Sequence, residues 1–414
     1  MRAVVFGVTV PGFLLARSVG RVSRSATHGV LSGLRLRDWP EPVLPGPDWV
    51  KLSVLYGGIC GSDLGNLSFT SSPLMEPFGS FPAVLGHEIV ARVDEVGSAV
   101  TRVRPGDRVA VDPMLSCGVR GFTGTEVCGS CAVGRHSTCG NAGEEGRTLV
   151  DGTPLARGLT IGYHADLPGG WGERMIAHES QLFPVDEAID DRVAALIEPL
   201  SIGMHAVLNT PVGSGPVLVI GSGPIAFATI WALRAAGYGG ELVAQAKRAP
   251  EVELARALGA SSVVRPGDEA RDALIATGAQ AYQPIVGPEV YAGGGFPVIF
   301  DCVGSGATLA QSLSYASARG RVVMLGCVAE IKKVDLTLLW AHELEVHGFV
   351  GYGAEQWRGE VLHTFEVTQR LLLESAAPVQ RMVTDVYPLK QVREALAAAE
   401  DRRTSGAIKV LLQP

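Results

Sequence analysis

The chain has 414 residues, of which 47% are hydrophobic, 19% charged and 6% aromatic, and its formal net charge is −7. This length exceeds what one hydrophobic core usually serves, so two domains are expected, and the composition excludes a disordered chain. The acidic balance argues against a protein that holds nucleic-acid phosphates and favours small-molecule partners.

The first residues combine a basic start with a short apolar run, as signal peptides do. Pro11 and Gly12 interrupt that run, however, and residues 3–6 (AVVF) predict an opening strand. No segment contains the roughly 18 uninterrupted apolar residues that are needed to span a bilayer. We therefore expect a cytoplasmic protein with no membrane partner.

The first half of the chain, to about residue 205, is predicted to be mainly β. It contains short β-branched runs broken by Gly and Pro, at residues 49–54 (WVKLSV), 88–93 (EIVARV) and 108–111 (RVAV). Ten residues, 118–127, separate Cys117 from the next cysteine and include three glycines, so we interpret them as an inserted flexible loop.

From about residue 216, apolar strands, glycine turns and amphipathic helices alternate, which predicts a parallel sheet with crossover helices. The predicted strands are 217–220, 242–244, 298–300 and 322–325, and the predicted helices are 224–236 and 252–258. The long connection 265–297 is expected to contain a helix near 272–276 and a surface loop. The ending, 406–412 (GAIKVLL), predicts a last strand that rejoins the first half.

Four side chains in the first half could hold a catalytic zinc ion. Cys60 lies in 58–63 (GICGSD), His87 and Glu88 follow Gly86, and Glu198 precedes a proline. Zinc binds thiolate, imidazole and carboxylate, and a catalytic site keeps one position for water or substrate. Taken singly, these residues are more often a core cysteine, a turn histidine and a capping glutamate.

Two neighbours of Cys60 suit such a site. The hydroxyl of Ser62 can pass on a proton, and the carboxylate of Asp63 can orient the second ring nitrogen of His87. The zinc ion would act as a Lewis acid on an alcohol or carbonyl oxygen. This combination predicts alcohol oxidation or carbonyl reduction.

A second cluster of cysteines predicts a structural zinc site. Cys128 and Cys131 form a CxxC hook, Cys139 follows after a short loop, and Cys117 is the candidate fourth ligand. A three-cysteine site with another ligand, for which His136 is available, and a metal-free lobe are the alternatives. Cys302 and Cys327 stand apart and are interpreted as packing residues.

A glycine-rich turn between the 217–220 strand and the next helix predicts a dinucleotide site. Its G-x-G-x-x-A pattern permits a tight turn, a close approach of the pyrophosphate and close packing of helix on strand. The turn residues are Gly221, Ser222, Gly223, Pro224, Ile225 and Ala226.

The end of the second strand of this region predicts a preference for NADP over NAD. Dinucleotide folds usually carry an acidic residue there, which binds the ribose hydroxyls and would repel a 2′-phosphate. This chain has Ala246, followed by the cations Lys247 and Arg248. The alternative is that the two cations are merely a solvated helix start and that cofactor preference is loose.

The three motif regions together resemble the zinc-dependent medium-chain dehydrogenase family. The resemblance is carried by 58–63 (GICGSD), 85–88 (LGHE), 197–201 (IEPLS) and the nucleotide turn, and 300–304 (FDCVG), which includes Val303, resembles the family's fourth-strand segment. It implies Cys60 and His87 as zinc ligands, Ser62 as the proton relay and Glu88 as a ligand or exchangeable near-ligand. With a glutamate at position 198, the chain resembles the sorbitol, butanediol and glucose dehydrogenase branch of the family.

The resemblance also implies the architecture: a GroES-like, β-rich catalytic domain over 1–205 and 351–414, and a Rossmann-type doubly wound domain over 206–350. It implies a homodimer or homotetramer that transfers hydride between NADP or NAD and a secondary alcohol, diol, polyol or sugar. Many relatives have a histidine two places after the Ser-Asp pair, whereas this chain has Gly65 there.

Two other functions are compatible with parts of the pattern. A zinc-free quinone or enoyl reductase would not need Cys60, His87 and the cysteine cluster. A non-catalytic nucleotide-binding descendant would bind cofactor and zinc and oxidise nothing in a panel of alcohols. Phe69, Trp171 and Trp340 are candidate lining residues of a substrate pocket.

Overall fold

The computed structural model describes most of the chain and is α/β. The described residues are 1–19, 27–29, 32–326, 330–331 and 333–414. Cys327, predicted to be a packing residue, lies outside them. Among the described residues, none of the helices has the length and apolarity that crossing a membrane requires.

The chain forms two compact units, which we call unit 1 and unit 2. Unit 1 comprises Met1–Glu198, Gly353–Leu373 and Val383–Pro414, and unit 2 comprises Pro199–Tyr352 and Glu374–Met382. The chain therefore passes from unit 1 into unit 2 and returns. The predicted boundaries were 205 and 350, and the prediction did not include the short segment 374–382 in the second unit.

The first part of unit 1 is mainly β, with a few short helices. Its strands are β1 (Arg2–Phe6), β2 (Leu34–Asp38), β3 (Trp49–Gly58), β4 (Ala83–Val84), β5 (Glu88–Val96), β6 (Arg108–Val111), β7 (Leu149–Val150), β8 (Thr153–Pro154), β9 (Arg174–His178) and β10 (Leu182–Pro184). Its α-helices are α1 (Val10–Val19), α2 (Gly61–Leu67), α3 (Gly129–Ala132) and α4 (Asp191–Ala194). Short 3-10 helices lie at Pro73–Phe78, Gly124–Glu126, His136–Thr138 and Glu179–Gln181.

Unit 2 alternates strands and helices, as predicted. Its strands are β11 (Val217–Ile220), β12 (Leu242–Gln245), β13 (Ser262–Val264), β14 (Gln280–Tyr282), β15 (Val290–Ala292), β16 (Phe296–Asp301), β17 (Ala316–Met324) and β18 (Glu345–Gly348). The α-helices of this region are α5 (Ile197–Leu208), which begins in unit 1, α6 (Pro224–Ala235), α7 (Ala249–Ala257), α8 (Asp268–Ala276), α9 (Gly306–Tyr315) and α10 (Thr337–Ala341).

The return to unit 1 completes its main sheet. The elements are β19 (Ala354–Trp357), β20 (Glu360–His363), α11 (Thr364–Glu374), β21 (Val383–Pro388), α12 (Val392–Glu400), α13 (Arg402–Ser405) and β22 (Lys409–Gln413), with a 3-10 helix at Leu389–Gln391. A further 3-10 helix, Val379–Met382, belongs to the short segment of unit 2. The seven-stranded sheet has the order β10-β6-β5-β3-β22-β21, with β9 also paired to β3. The last strand therefore rejoins the first half, as the sequence predicted.

The six-stranded sheet of unit 2 is parallel, with the order β13-β12-β11-β16-β17-β18. Numbered from the first strand of the unit, and leaving out the β14–β15 hairpin, this is the 3-2-1-4-5-6 order of a doubly wound dinucleotide fold. The strands β11 and β12 are buried on both faces, and the core of the sheet includes Leu218, Ile299 and Val322. The order reverses between β11 and β16, which is where such folds bind their ligand.

The two segments that the sequence left undefined have regular or packed structure. Residues 265–297 contain α8 and the antiparallel hairpin β14–β15. In the 118–127 loop, Val119, Arg120 and Phe122 are buried, and the Arg120 guanidinium donates to the carbonyl of Gly158 at 3.0 Å. A buried arginine and two buried apolar side chains pack the interior of this loop. The prediction of a flexible loop is therefore wrong for that interior.

Candidate active site and metal centres

Cys60 and His87 lie close together because each adjoins one of two paired strands. Cys60 follows β3 and is the N-cap residue of α2, and His87 immediately precedes β5, which pairs with β3. Gly86 has φ +93°, a conformation that residues with a Cβ rarely adopt, and a Cβ there would overlap the ring of Trp171. The glycine therefore allows the backbone to turn into His87 against a packed indole.

Three metal-binding side chains converge at this point of unit 1. Ligand atoms of Cys60, His87 and Glu88 all lie within 4.8 Å of one another. Glu198 is buried too, but among the described residues it does not belong to that group. The structure thus brings together three of the four predicted ligands of the catalytic zinc.

Glu88 has a buried cationic partner. The ammonium of Lys409, the first residue of β22, donates to both carboxylate oxygens of Glu88 at 2.6 Å and to the carbonyl of Ile59 at 3.1 Å. Each of the two side chains is only 1% exposed. A Cβ on Gly58 would overlap the Glu88 carboxylate, so this pair also requires a glycine on the neighbouring strand.

The residues present fit a bound cation. Burial alone would lower the pKa of His87, but the charges of Asp63 and Cys60 outweigh it and raise that pKa well above its ordinary value. Burial would also lower the pKa of Lys409, yet Glu88, Cys60 and Glu198 raise it. The pocket therefore favours positive charge, and its thiolate, imidazole and carboxylate are a donor set that zinc binds.

The predicted relay residues are linked by a tyrosine that the sequence did not reveal. The hydroxyl of Tyr163 donates to Asp63 Oδ1 at 2.7 Å and lies 3.0 Å from Ser62 Oγ, and the backbone amide of Cys60 donates to Asp63 Oδ2 at 2.8 Å. His87 Nδ1 lies 3.5 Å from Asp63 Oδ1, which is longer than an ordinary hydrogen bond. Asp63 thus lies beside the ring nitrogen that it was predicted to orient.

Tyr163 is held in its protonated state. Burial raises its pKa well above the ordinary value, and the charges of Asp63 and Cys60 raise it further. Its ring also lies 5.3 Å from that of His87, centroid to centroid. A neutral phenol in this position is a hydrogen-bond donor to Asp63, and its oxygen lies beside the relay serine.

Lys409 and Tyr163 were not predicted from the sequence, and the sequence features that could have indicated them differ in strength. Lys409 interrupts an apolar strand, and a lysine inside an apolar run is rarely buried without a partner, so a buried acid could have been sought. Tyr163 lies in no motif. Trp171, predicted to line a pocket, is fully buried and donates to the carbonyl of Gly58 at 3.0 Å, so it is a packing residue.

The cysteine cluster in unit 1 includes Cys117, although ten residues separate it from Cys128. The sulfurs of Cys117, Cys128, Cys131 and Cys139 lie within 4.8 Å of one another, and Cys117 Sγ is 3.7 Å from Cys139 Sγ. A disulfide needs about 2.05 Å, whereas sulfurs around one tetrahedral zinc ion at about 2.3 Å lie roughly 3.8 Å apart. The four side chains fit a zinc ion.

Hydrogen-bond donors lie near these sulfurs, and the pKa is lowered for Cys128 and Cys139 but raised for Cys117 and Cys131. The amides of Cys128 and Gly140 donate to Cys117 Sγ and Cys128 Sγ at 3.4 and 3.2 Å. A hydrogen bond from Cys131 lowers the pKa of the Cys139 thiol to about 5. The spare ligand considered for this cluster, His136, lies in a different group of side chains.

The nucleotide turn of unit 2 has the predicted strand–turn–helix form. Gly221 has φ +122°, and a Cβ there would come within 3.1 Å of a methyl group of Val303, at the neighbouring strand end. Gly223 is the N-cap residue of α6, and Pro224 occupies its first turn, so amide groups at the helix start are available to phosphates. Ala226 is fully buried. These features fit a dinucleotide.

The first turn of α7, which follows β12, carries an acid that the sequence reasoning missed. Ala246 is buried and Lys247 is exposed, but Arg248 forms an ion pair with Glu251 at 2.6 Å. Glu251 is buried in the first turn of α7 and accepts the amides of Lys247 and Arg248 at 3.3 and 3.2 Å. Burial would raise its pKa, but hydrogen bonds from Arg248 and Ser222 lower it.

Comparison with known proteins identifies similarity over both units. Residues 46–187 match the alcohol dehydrogenase GroES-like domain, and residues 224–366 match the zinc-binding dehydrogenase domain.

Several known proteins resemble most or all of the chain. L-threonine 3-dehydrogenase of Saccharopolyspora erythraea is 28% identical over 91% of this chain and 95% of its own. L-idonate 5-dehydrogenase of Vitis vinifera is 28% identical over 91% of each chain. A crystal structure from Sinorhizobium meliloti, described as a zinc-binding dehydrogenase bound to NADP, has a TM-score of 0.67 and 26% identity over 100% of this chain and 99% of its own.

Proposed function

The chain belongs to the zinc-dependent medium-chain alcohol and polyol dehydrogenase family, and from this premise we propose the residues, cofactor and substrate class of its reaction. It is an NAD(P)-dependent oxidoreductase that transfers hydride between the nicotinamide and an alcohol or polyol carbon. The observation that carries the proposal is the convergence of Cys60, His87 and Glu88 in unit 1. A zinc-free quinone or enoyl reductase has no use for such a set.

Cys60, His87 and Glu88 are the proposed ligands of the catalytic zinc. Carboxylate oxygens have several lone pairs, so Glu88 can bind an ion while it accepts hydrogen bonds from Lys409. Glu198 contributes negative charge near Lys409 and is assigned no direct bond to the ion. The zinc ion, when bound, supplies a Lewis acid that lowers the pKa of the substrate hydroxyl.

Ser62 is the proposed proton acceptor of the substrate hydroxyl. A serine has one O–H donor and two acceptor lone pairs, and the Ser62 hydroxyl lies 3.0 Å from that of Tyr163, whose own proton is donated to Asp63. A lone pair of Ser62 takes the substrate proton while the serine O–H passes its own proton on. Because Gly65 stands where many relatives have a relay histidine, that proton leaves through water or a cofactor hydroxyl.

NADP is the proposed preferred cofactor. Position 246 lacks the acid that would repel a 2′-phosphate, and Lys247 is an exposed cation at that strand end. Arg248, the next residue, is held by its ion pair with Glu251. That pair uses only some of the five N–H donors of the guanidinium.

The proposed substrate is a secondary alcohol, diol, polyol or sugar. The names of the two relatives place their reactions at carbon 3 of threonine and carbon 5 of idonate, both of which bear a secondary hydroxyl. The carboxylate in the proposed zinc shell matches the polyol branch by resemblance. A homodimer or homotetramer stays a prediction from that resemblance, to be measured by light scattering.

A cofactor-reduction screen combined with elemental analysis tests the proposal. The purified chain is offered secondary alcohols, diols, polyols and sugars with NADP or NAD, and zinc is measured in the same preparation. We expect reduction of NADP with at least one polyol-like substrate and zinc in both the catalytic and the cysteine site. Zinc at both sites and cofactor binding without any turnover would instead favour the non-catalytic alternative.

A further inference from the structure

A third group of metal-binding side chains lies in unit 1 and is used by neither site described above. Asp112, His136 and His363 bring one carboxylate oxygen and two imidazole nitrogens within 4.8 Å of one another. Asp112 is buried and the two histidines are half-buried. Their positions in the chain are far apart, so the fold, and not a local turn, assembles the group.

Hydrogen bonds fix both the backbone and one carboxylate oxygen of Asp112. Asp112 follows β6, its amide donates to the carbonyl of Gln181 at 2.8 Å, and its own carbonyl accepts from the Gln181 side chain at 2.9 Å. Oδ1 accepts the amide of Met114 at 2.8 Å, while Oδ2 lies 3.3 Å from Nε2 of His363. One oxygen is thus engaged locally and the other is directed into the group.

His363 is oriented by packing and by its position at the end of β20. Its ring stacks on that of Phe183, with centroids 4.4 Å apart and planes inclined by 23°. Nδ1 accepts the amide of Phe365 at 3.2 Å, so the neutral ring carries its proton on Nε2. Binding of a metal ion at Nε2 requires that proton to leave Nε2 and the Phe365 amide to turn away as Nδ1 becomes protonated.

His136 is brought to His363 by the backbone. It begins the 3-10 helix His136–Thr138, next to Gly134, whose carbonyl accepts the amide of Ala354 at 3.0 Å. Ala354 is the register partner of His363 in the β19–β20 hairpin. This backbone contact connects the two histidine-bearing segments without any ion.

We propose that Asp112, His136 and His363 form a third metal site, for a divalent ion of the zinc class. Two imidazoles and one carboxylate suit zinc, cobalt or nickel, and three protein ligands leave at least one position for water. An ion there connects the end of β6, the cysteine-bearing segment and the β19–β20 hairpin. The proposal does not depend on the substrate or on the cofactor preference.

The test counts metal ions in the full-length, tag-free chain. Metal-depleted protein is titrated with zinc under equilibrium dialysis and the bound zinc is measured by mass spectrometry. We expect three equivalents in the wild type and two in His136→Asn and His363→Asn, each checked for folding by circular dichroism. His347→Asn removes an exposed histidine in unit 2 and is the matched control, with three equivalents expected.

Cobalt distinguishes this site from the two that contain cysteine. Cobalt bound to thiolate gives intense near-ultraviolet charge-transfer bands, whereas cobalt bound to imidazole and carboxylate gives only weak visible bands. We expect one equivalent of cobalt to add visible absorption without charge-transfer bands. This equivalent should be lost in His136→Asn and His363→Asn. Saturation of the wild type at two equivalents would overturn the proposal and leave an ordinary Asp–His pair. A third equivalent that all variants retain would also overturn it and would indicate adventitious surface binding.

Discussion

Lys409 and Glu88 form a buried ion pair in which the ammonium lies 2.6 Å from both carboxylate oxygens. The pair joins the last strand of the chain to a proposed zinc ligand, because β22 and β5 flank β3 in the same sheet. The returning C-terminal segment thus does more than complete the sheet: it supplies the cation that compensates the carboxylate beside Cys60 and His87. If Glu88 binds zinc as proposed, stability and metal binding are coupled at this position.

Replacing Lys409 with Met is expected to destabilise unit 1. Removal of one partner leaves an uncompensated buried charge, which costs roughly 3–5 kcal/mol. Urea unfolding followed by tryptophan fluorescence measures the loss, and Lys390→Met, at an exposed lysine of the same unit, is expected to change little. The double variant Lys409→Met/Glu88→Gln should recover part of the loss, and no recovery would argue against the pair as its origin.

Replacing Tyr163 with Phe is expected to lower kcat by roughly three- to tenfold, as loss of hydrogen bonds worth about 0.5–1.5 kcal/mol predicts. The KM for the alcohol should change little, because the hydroxyl contacts Ser62 and Asp63 rather than a substrate group in the proposed mechanism. Steady-state kinetics across pH provide the measurement. Tyr282→Phe, which removes an exposed hydroxyl, is the control. A wild-type pH profile and kcat in Tyr163→Phe would remove this residue from the relay.

Glu88→Gln and Glu198→Gln separate the two candidate carboxylates. We expect Glu88→Gln to lose one zinc equivalent and most activity, because its oxygen belongs to the group formed with Cys60 and His87. Glu198→Gln should retain its zinc. Elemental analysis of the two isosteric variants side by side decides between them, and the opposite pattern would identify Glu198 as the ligand.

Lys247→Ala is expected to weaken NADP use selectively. A hydrogen bond to a charged group contributes about 1.5–3 kcal/mol, so kcat/KM for NADP should fall roughly ten- to hundredfold while that for NAD changes little. Arg256→Ala removes an exposed cation from the other end of α7 and serves as the control. Equal losses of kcat/KM with NADP and NAD would show that Lys247 does not determine the cofactor preference.

The Glu251 carboxylate predicts a pH-dependent stability of unit 2. Burial opposes its ionisation, but Arg248 and Ser222 lower its pKa in the folded state. The stabilisation is therefore present above the unfolded value of about 4.3 and is lost as the pH falls through the lowered folded pKa. Melting temperatures of the wild type and Glu251→Gln should differ at pH 7 and converge in acid, whereas Glu253→Gln, at an exposed glutamate, should follow the wild type throughout.

Local motifs made much of the fold and of the site predictable. Hydrophobic periodicity indicated the alternation of unit 2, and the GICGSD and G-x-G-x-x-A patterns indicated Cys60 and Gly221, because each works through neighbours a few residues away. The partners that join distant segments carry no such pattern. Lys409, Tyr163 and the Asp112–His363 contact depend on strand order and register, which a single sequence does not specify.

Composition also misled the prediction at one loop. Glycines at 118, 121 and 124 suggested flexibility, but the side chains between them decide the structure. Arg120 is fully buried, and burial lowers its pKa while the charges of Cys139 and Cys117 oppose that effect. A buried arginine that interacts with the charges of Cys139 and Cys117 gives this loop a packed interior and a cation near the cysteine cluster.

Cys60→Ser provides the most direct test of the central claim, that a zinc ion bound at Cys60, His87 and Glu88 drives alcohol oxidation. Zinc content and the rate of NADP reduction with the best substrate of the screen are measured together, with Cys302→Ser, a cysteine of unit 2, as the control. The account predicts that Cys60→Ser loses one zinc equivalent and nearly all turnover, while Cys302→Ser keeps both. Full turnover in Cys60→Ser after that zinc equivalent is lost would contradict it.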